Sequence, residues 1–145
     1  MGTFTAARQT AGLTAARNTA LDTMLAPANS GSLRIYSGTP PVDATAALSG
    51  NILLATLALS ATPFGPAAAG VATANVISMA TSAAATGTPT FFRLLASDGV
   101  TVIFQGTAAA TGAELNLTGL SSGQIVAGGS VGVSSLTVSQ AASFV

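Results

Sequence analysis

The sequence predicts a mainly β fold: a β-sandwich or jelly-roll-like domain preceded by an N-terminal arm and one amphipathic helix. Three observations carry this reading. From Ser32 onward apolar and polar residues alternate in short runs, as they do in strands with one buried face. Gly, Pro, Asn and Asp clusters separate those runs, the spacing expected of a sandwich or jelly roll. Helical spacing is confined to the start of the chain, where Leu13, Ala16, Arg17, Ala20, Leu21, Met24 and Leu25 recur on one side. At 145 residues the chain is long enough for one domain with its own core. It divides into an arm and helix over residues 1–31 and a β domain over 32–145.

Taken in order, the arm is expected to run extended through Thr10, with the helix following until Pro27 and Asn29-Ser30-Gly31 end it. That helix either covers the sheet edge of its own domain or belongs to an arm reaching a neighbouring subunit. Leu33-Arg34-Ile35-Tyr36 reads as the first strand, stopped by Gly38-Thr39-Pro40-Pro41, and 42–51 as a loop. Leu53, Ala55, Leu57 and Leu59 would line one face of the second strand. A further strand is expected over Val71–Ala80, with Val76 and Ile77 its bulkiest members, then a loop over 83–88.

The strongest local signal is Asp98-Gly99 between Phe91-Phe92-Arg93-Leu94-Leu95 and Val100-Thr101-Val102-Ile103-Phe104. It predicts a hairpin with a type I′ turn. Its strands are apolar on both faces apart from Arg93, Thr101 and Gln105, which suits a central position. Glu114–Leu117 is a short strand and Gly128–Gln140 the last one. Apolar parity switches between Val133 and Leu136, so a bulge is expected at Ser134 and Ser135.

Charge is scarce. Arg8, Arg17, Arg34 and Arg93 balance Asp22, Asp43, Asp98 and Glu114; charged residues make up 6% of the chain, against about 25% in an ordinary domain. No charge falls between Asp43 and Arg93. Such a surface resists self-association weakly and resembles the cores of interfaces, which are poor in charge. Four scattered arginines give no footprint for nucleic acid. Mean hydropathy is +0.64, yet the longest apolar run, Ile52–Leu59, is interrupted by Thr56 and falls far short of the ~20 residues that span a bilayer. The start of the chain has no basic region leading into an apolar one, so no secretory signal is expected.

Chemistry is equally restricted. The chain contains no Cys and no His, which removes thiol nucleophiles, disulfides, zinc sites and a histidine base. Without Lys or His a serine or threonine nucleophile has no partner base. The four acids are dispersed, and Asp98 and Asp43 sit where turns favour acids. No loop clusters acids for calcium, and Gly128-Gly129 lacks the lysine of a phosphate loop. No catalytic, cofactor-binding or metal-ligating residue is expected, and no cofactor. Arg93, in the most apolar strand, needs a carboxylate or carbonyl partner: Glu114, Asp43, or a neighbour's carbonyls. Tyr36 shares a strand face with Arg34 and suits either a core edge or an interface. The candidate interface positions are Phe4, Arg8, Arg17, Arg34 and Tyr36.

The segment Leu33–Pro41 followed by Leu53–Leu57 resembles a family of small virion proteins of tailed bacteriophages and prophages. Further matches follow in order: Arg17–Asp22, Phe64-Gly65, Phe92-Arg93 with Ser97-Asp98-Gly99, Gly112–Leu117, and Gly128–Val131. The resemblance covers most of 13–140, and its short motifs describe a fold and carry no catalytic residue. It implies a virion component without enzymatic activity, foremost a capsid decoration or cement protein. The expected partners are the major capsid protein and copies of the chain itself, a trimer among the options. No nucleic acid or membrane partner is expected, and the expected location is the capsid surface after assembly in the bacterial cytoplasm. The alternatives are a tail, connector or fibre-base subunit, and, further off, a cell-surface adhesin or carbohydrate-binding domain.

Overall fold

The computed structural model describes residues 6–139, with side chains described from Gly12 onward. Helix α1 spans Ala6–Leu25 and leads into a short 3-10 turn at Ala26–Ala28. It starts earlier than the expected boundary at Thr10, because Ala6, Ala7, Arg8 and Gln9 are strong helix formers. The remainder of the arm, Phe4 included, lies outside the described residues. Among the residues whose side chains are described, the docking contacts of α1 lie in its second half. Leu21 and Leu25, four residues apart on one face, are buried. The Asn18 Oδ1 accepts from the Gly70 amide and the Asp22 Oδ1 from the Ala67 amide, both at 2.8 Å.

Eight strands follow: β1 (Ser32–Ser37), β2 (Ile52–Ala58), β3 (Val71–Thr73), β4 (Phe91–Leu95), β5 (Val102–Ala109), β6 (Leu115–Thr118), β7 (Gly132–Ser135) and β8 (Thr137–Ser139). They divide into a six-stranded sheet of order β2-β1-β4-β5-β6-β7 and a ribbon of β3 and β8. Every pairing is antiparallel except β5 with β6. The fold is mainly β with one helix, as the sequence predicts, but a jelly-roll strand order is not seen. The core joins Leu33, Ile35, Leu57, Phe92, Leu94 and Leu115 of the sheet to Ala72 of the ribbon and to Ile125 and Val131.

All five residues of β4 are buried, so both faces of the sheet centre are covered. Phe92 and Leu94 face the core. Over the other face lies the loop between β1 and β2, whose carbonyls bond to Arg93 and Gln105. In β2 the register shifts opposite Ile35 and Tyr36, and this bulge reverses the parity expected at its start. Leu54 is therefore fully buried while Leu53 is only half-buried.

The β4–β5 hairpin forms with a different turn. A type I′ turn needs positive φ at both central residues; here Gly99 has φ 69° and Asp98 is not left-handed. Instead the Gly99 amide donates to the Ala96 carbonyl at 3.0 Å and the Ala96 amide to the Thr101 carbonyl at 2.9 Å. The Asp98 carboxylate fixes this wider loop by accepting from the Val100 and Thr101 amides. The expected bulge is present: Asn116 pairs with Ser135 and Leu117 with Val133, leaving Ser134 over. The predicted last strand, though, is two. At Leu136 the chain leaves the main sheet as β7 and enters the ribbon as β8. Of the strand expected at 71–80 only Val71–Thr73 forms, and Val76 is 92% exposed.

Candidate interaction surface

The four acids each fasten a local turn or junction. Asp43 Oδ1 accepts from the Thr45 hydroxyl and the Thr45 and Ala46 amides. Those donors, the hydroxyl foremost, hold its carboxyl below the ordinary 3.8. Asp98 is lowered in the same way, by the Thr101 hydroxyl first and then the Val100 and Thr101 amides. Glu114 Oε2 accepts from the Thr107 amide at 2.7 Å and its hydroxyl at 3.2 Å, and Asp22 holds the Ala67 amide. A cavity of about 570 Å³ between the end of α1 and Phe64–Pro66 contains one acid, Asp22. Among the described residues no group of three or more metal-ligating side chains occurs, and no helix is long and apolar enough to cross a membrane. Among the described residues the four acids sit at separate turns and junctions.

The predicted interface positions are not brought together. Phe4 lies outside the described residues, and Arg8 falls in α1 at a position where only the backbone is described. Arg17 is half-buried on α1; its Nη2 donates to the Thr14 hydroxyl at 3.2 Å, and its Nε is covered without a partner. Arg34 is half-buried on β1, and its Nη2 would stand 3.7 Å from a Cβ added at Gly99. Tyr36 is 5% exposed and stacks on Phe91 across the β1–β4 pair, ring centroids 5.2 Å apart. That is the core-edge placement, and its ring is not presented outward.

Arg93 found carbonyls within its own chain. Its Nη2 donates to the carbonyls of Ala46 at 2.7 Å and Asp43 at 3.3 Å, and its Nε to the Gln105 Oε1 at 3.2 Å. Gln105 in turn donates to the Pro41 carbonyl at 2.8 Å. Together they strap the 41–46 loop over β4.

Two surface features escaped the sequence. From Gly12 to Ala20 no residue of α1 is buried, and a Cβ at Gly12 would meet nothing within 4 Å. This stretch is mostly exposed, with Thr14, Arg17 and Asn18 half-buried. Large apolar side chains are also presented to solvent: Val42 is 95% exposed and Val100 79%. The missing signal for the helix was available in part, since Leu13 is the lone large apolar residue between Ala6 and Ala20. Comparison with known proteins finds no matching family model, no similar curated protein and no similar solved structure.

Proposed function

We propose that this chain is a non-enzymatic structural subunit of a tailed-bacteriophage virion, acting as a decoration protein that bridges and stabilises major capsid subunits. The observation that carries the assembly reading is that none of residues 12–20 of α1 is buried, on a chain with 6% charged residues. Exposed side chains there, Leu13 among them, are available to another molecule. The virion assignment draws on the resemblance of the β1–β2 and hairpin segments to small virion proteins. In this role each copy contributes a modest interface, and many copies act together, because rupture of the shell requires several contacts to break at once.

A tail, connector or fibre-base role uses the same domain in another part of the particle. A carbohydrate-binding role is less well served, since sugar stacking needs exposed aromatic rings. Tyr36, Phe91 and Phe92 are buried, and Phe64 and Phe104 are half-buried. The test is to assemble particles without this chain and heat them. Genome release at a temperature several degrees lower than for complete particles supports the decoration role, and an unchanged release temperature contradicts it.

A further inference from the structure

We infer that the chain associates with copies of itself, the first half of α1 from one copy docking through Leu13 and Arg17 into the groove between β5 and β8 of the next. The inference rests on the assembly role proposed above and names a second copy as the partner.

Residues 6–17 precede Asn18, which holds the Gly70 amide, and at 1.5 Å per residue they form about 18 Å of helix. A helix of that length is marginal in water unless something packs on it. Its first turn holds no acid and contains Arg8 near the positive end of the dipole, which disfavours it further. A partner surface of negative charge removes that penalty.

Such a surface is on the same molecule. Residues 1–20 carry Arg8 and Arg17 and no acid, a charge of +2. Residues 21–145 carry Arg34 and Arg93 against four acids, 2 − 4 = −2. All four acids are exposed, Arg93 is 6% exposed, and Arg34, like Arg17, is half-buried. The first half of α1 is therefore basic and the outside of the body acidic, a complementarity that steers and orients association between copies.

The groove between β5 and β8 is a cavity of about 360 Å³ with Phe92, Phe104, Leu136 and Val138 as its apolar walls. Gly106 leaves it open, and the Glu114 carboxylate reaches over it: a Cβ at Gly106 would stand 2.6 Å from Glu114 Oε2. The space suits one or two side chains. Leu13 is 41% exposed on α1, and Arg17 lies one turn further along the same face. A leucine anchor with a cation beside it matches an apolar groove with a carboxylate at its rim, the helix-in-groove mode of recognition. Each copy then gives one helix and receives another, a heterologous contact that closes into a ring or extends as a filament according to its rotation.

The test uses the full chain in solution. In sedimentation equilibrium over a concentration series, association is expected, and it should weaken as salt rises from about 0.05 M to about 0.5 M. Leu13→Glu and the pair Arg8→Glu with Arg17→Glu should each weaken it by about tenfold or more. Circular dichroism should keep the β signal, since Leu13 is 41% exposed and belongs to no strand. The chain has no Cys, so single cysteines are clean reporters: an equal mixture of Ala16→Cys and Thr137→Cys chains, treated with a short bismaleimide, should give the mixed dimer. A chain monomeric at every concentration, variants that associate like the parent, or Ala16→Cys chains that link only to each other would overturn the inference. Particle incorporation is a separate measurement, so self-association and the virion role can fail independently.

Discussion

The Arg93 guanidinium reaches from β4 to two carbonyls of a loop 47 and 50 residues earlier in the chain. Removing it leaves those carbonyls and the Gln105 amide oxygen without their donors in a covered site. Arg93→Ala should therefore cost about 2–4 kcal/mol by urea denaturation. Arg93→Lys should recover only part of that, because an ammonium cannot form the guanidinium's fork. Amide exchange at Ala44–Ala47 should rise in both variants; unchanged protection there would contradict the strap. The sequence made the need for a partner legible, since a buried arginine in an apolar strand must be satisfied. It could not identify the partner, because the acceptors are backbone groups and any loop can supply them. Asp98 and Asp43 give a pH prediction. Their carboxyls are held below 3.8 in the folded chain, so ionisation stabilises the fold above that value, and the contribution is lost as pH falls through the lowered folded values. The urea midpoint should be flat from neutrality to about pH 5 and decline below about pH 4. In the double variant Asp43→Asn, Asp98→Asn the amide oxygens keep accepting backbone bonds while the charge is gone, so the decline should be shallower. An identical decline would show that these carboxylates do not set it.

Elements are joined by a few tight contacts. Gly31 links the end of α1 to β1: its amide donates to the Ala28 carbonyl at 2.8 Å and its carbonyl accepts from the Leu59 amide at 3.0 Å. A Cβ there would press on the Leu95 carbonyl and stand 2.9 Å from the Ala28 carbonyl oxygen. Both obstacles are backbone, which cannot swing aside. Gly31→Ala should cost about 2–3 kcal/mol, read as a lowered urea midpoint; a neutral result would mean that the helix–sheet junction is looser than these contacts imply. The central hairpin and the Ser134 bulge were legible because both depend on residues adjacent in sequence, a turn signal and a break in parity. The β2 bulge was not, because Leu53 and Leu54 are both leucine and composition cannot say which faces inward. The division of the last strand at Leu136 was hidden for another reason. The Ala74 amide donates to the Leu136 carbonyl at 2.9 Å, a contact between segments far apart in the chain, and local alternation continues through it.

At the scale of the whole molecule, the sheet, its ribbon and the end of α1 share one core, and none of residues 12–20 belongs to it. Deletion of residues 1–12 should leave the unfolding free energy from urea denaturation within about 0.5 kcal/mol of the parent. It should also lower occupancy on particles, and full occupancy would remove the helix from the interface. The β class followed from alternation and turn residues, which report on the chain's own core. The outward surface was legible only in bulk, as scarcity of charge, because the partner that would give it meaning is another molecule. The most direct measurement is therefore copy number, by quantitative mass spectrometry of heads and tails separated from purified particles. The decoration role predicts abundance in heads equal to that of the major capsid protein or a simple fraction of it. Abundance confined to tails would contradict decoration and transfer the domain to a tube or fibre role, and absence from both fractions would contradict the virion role itself.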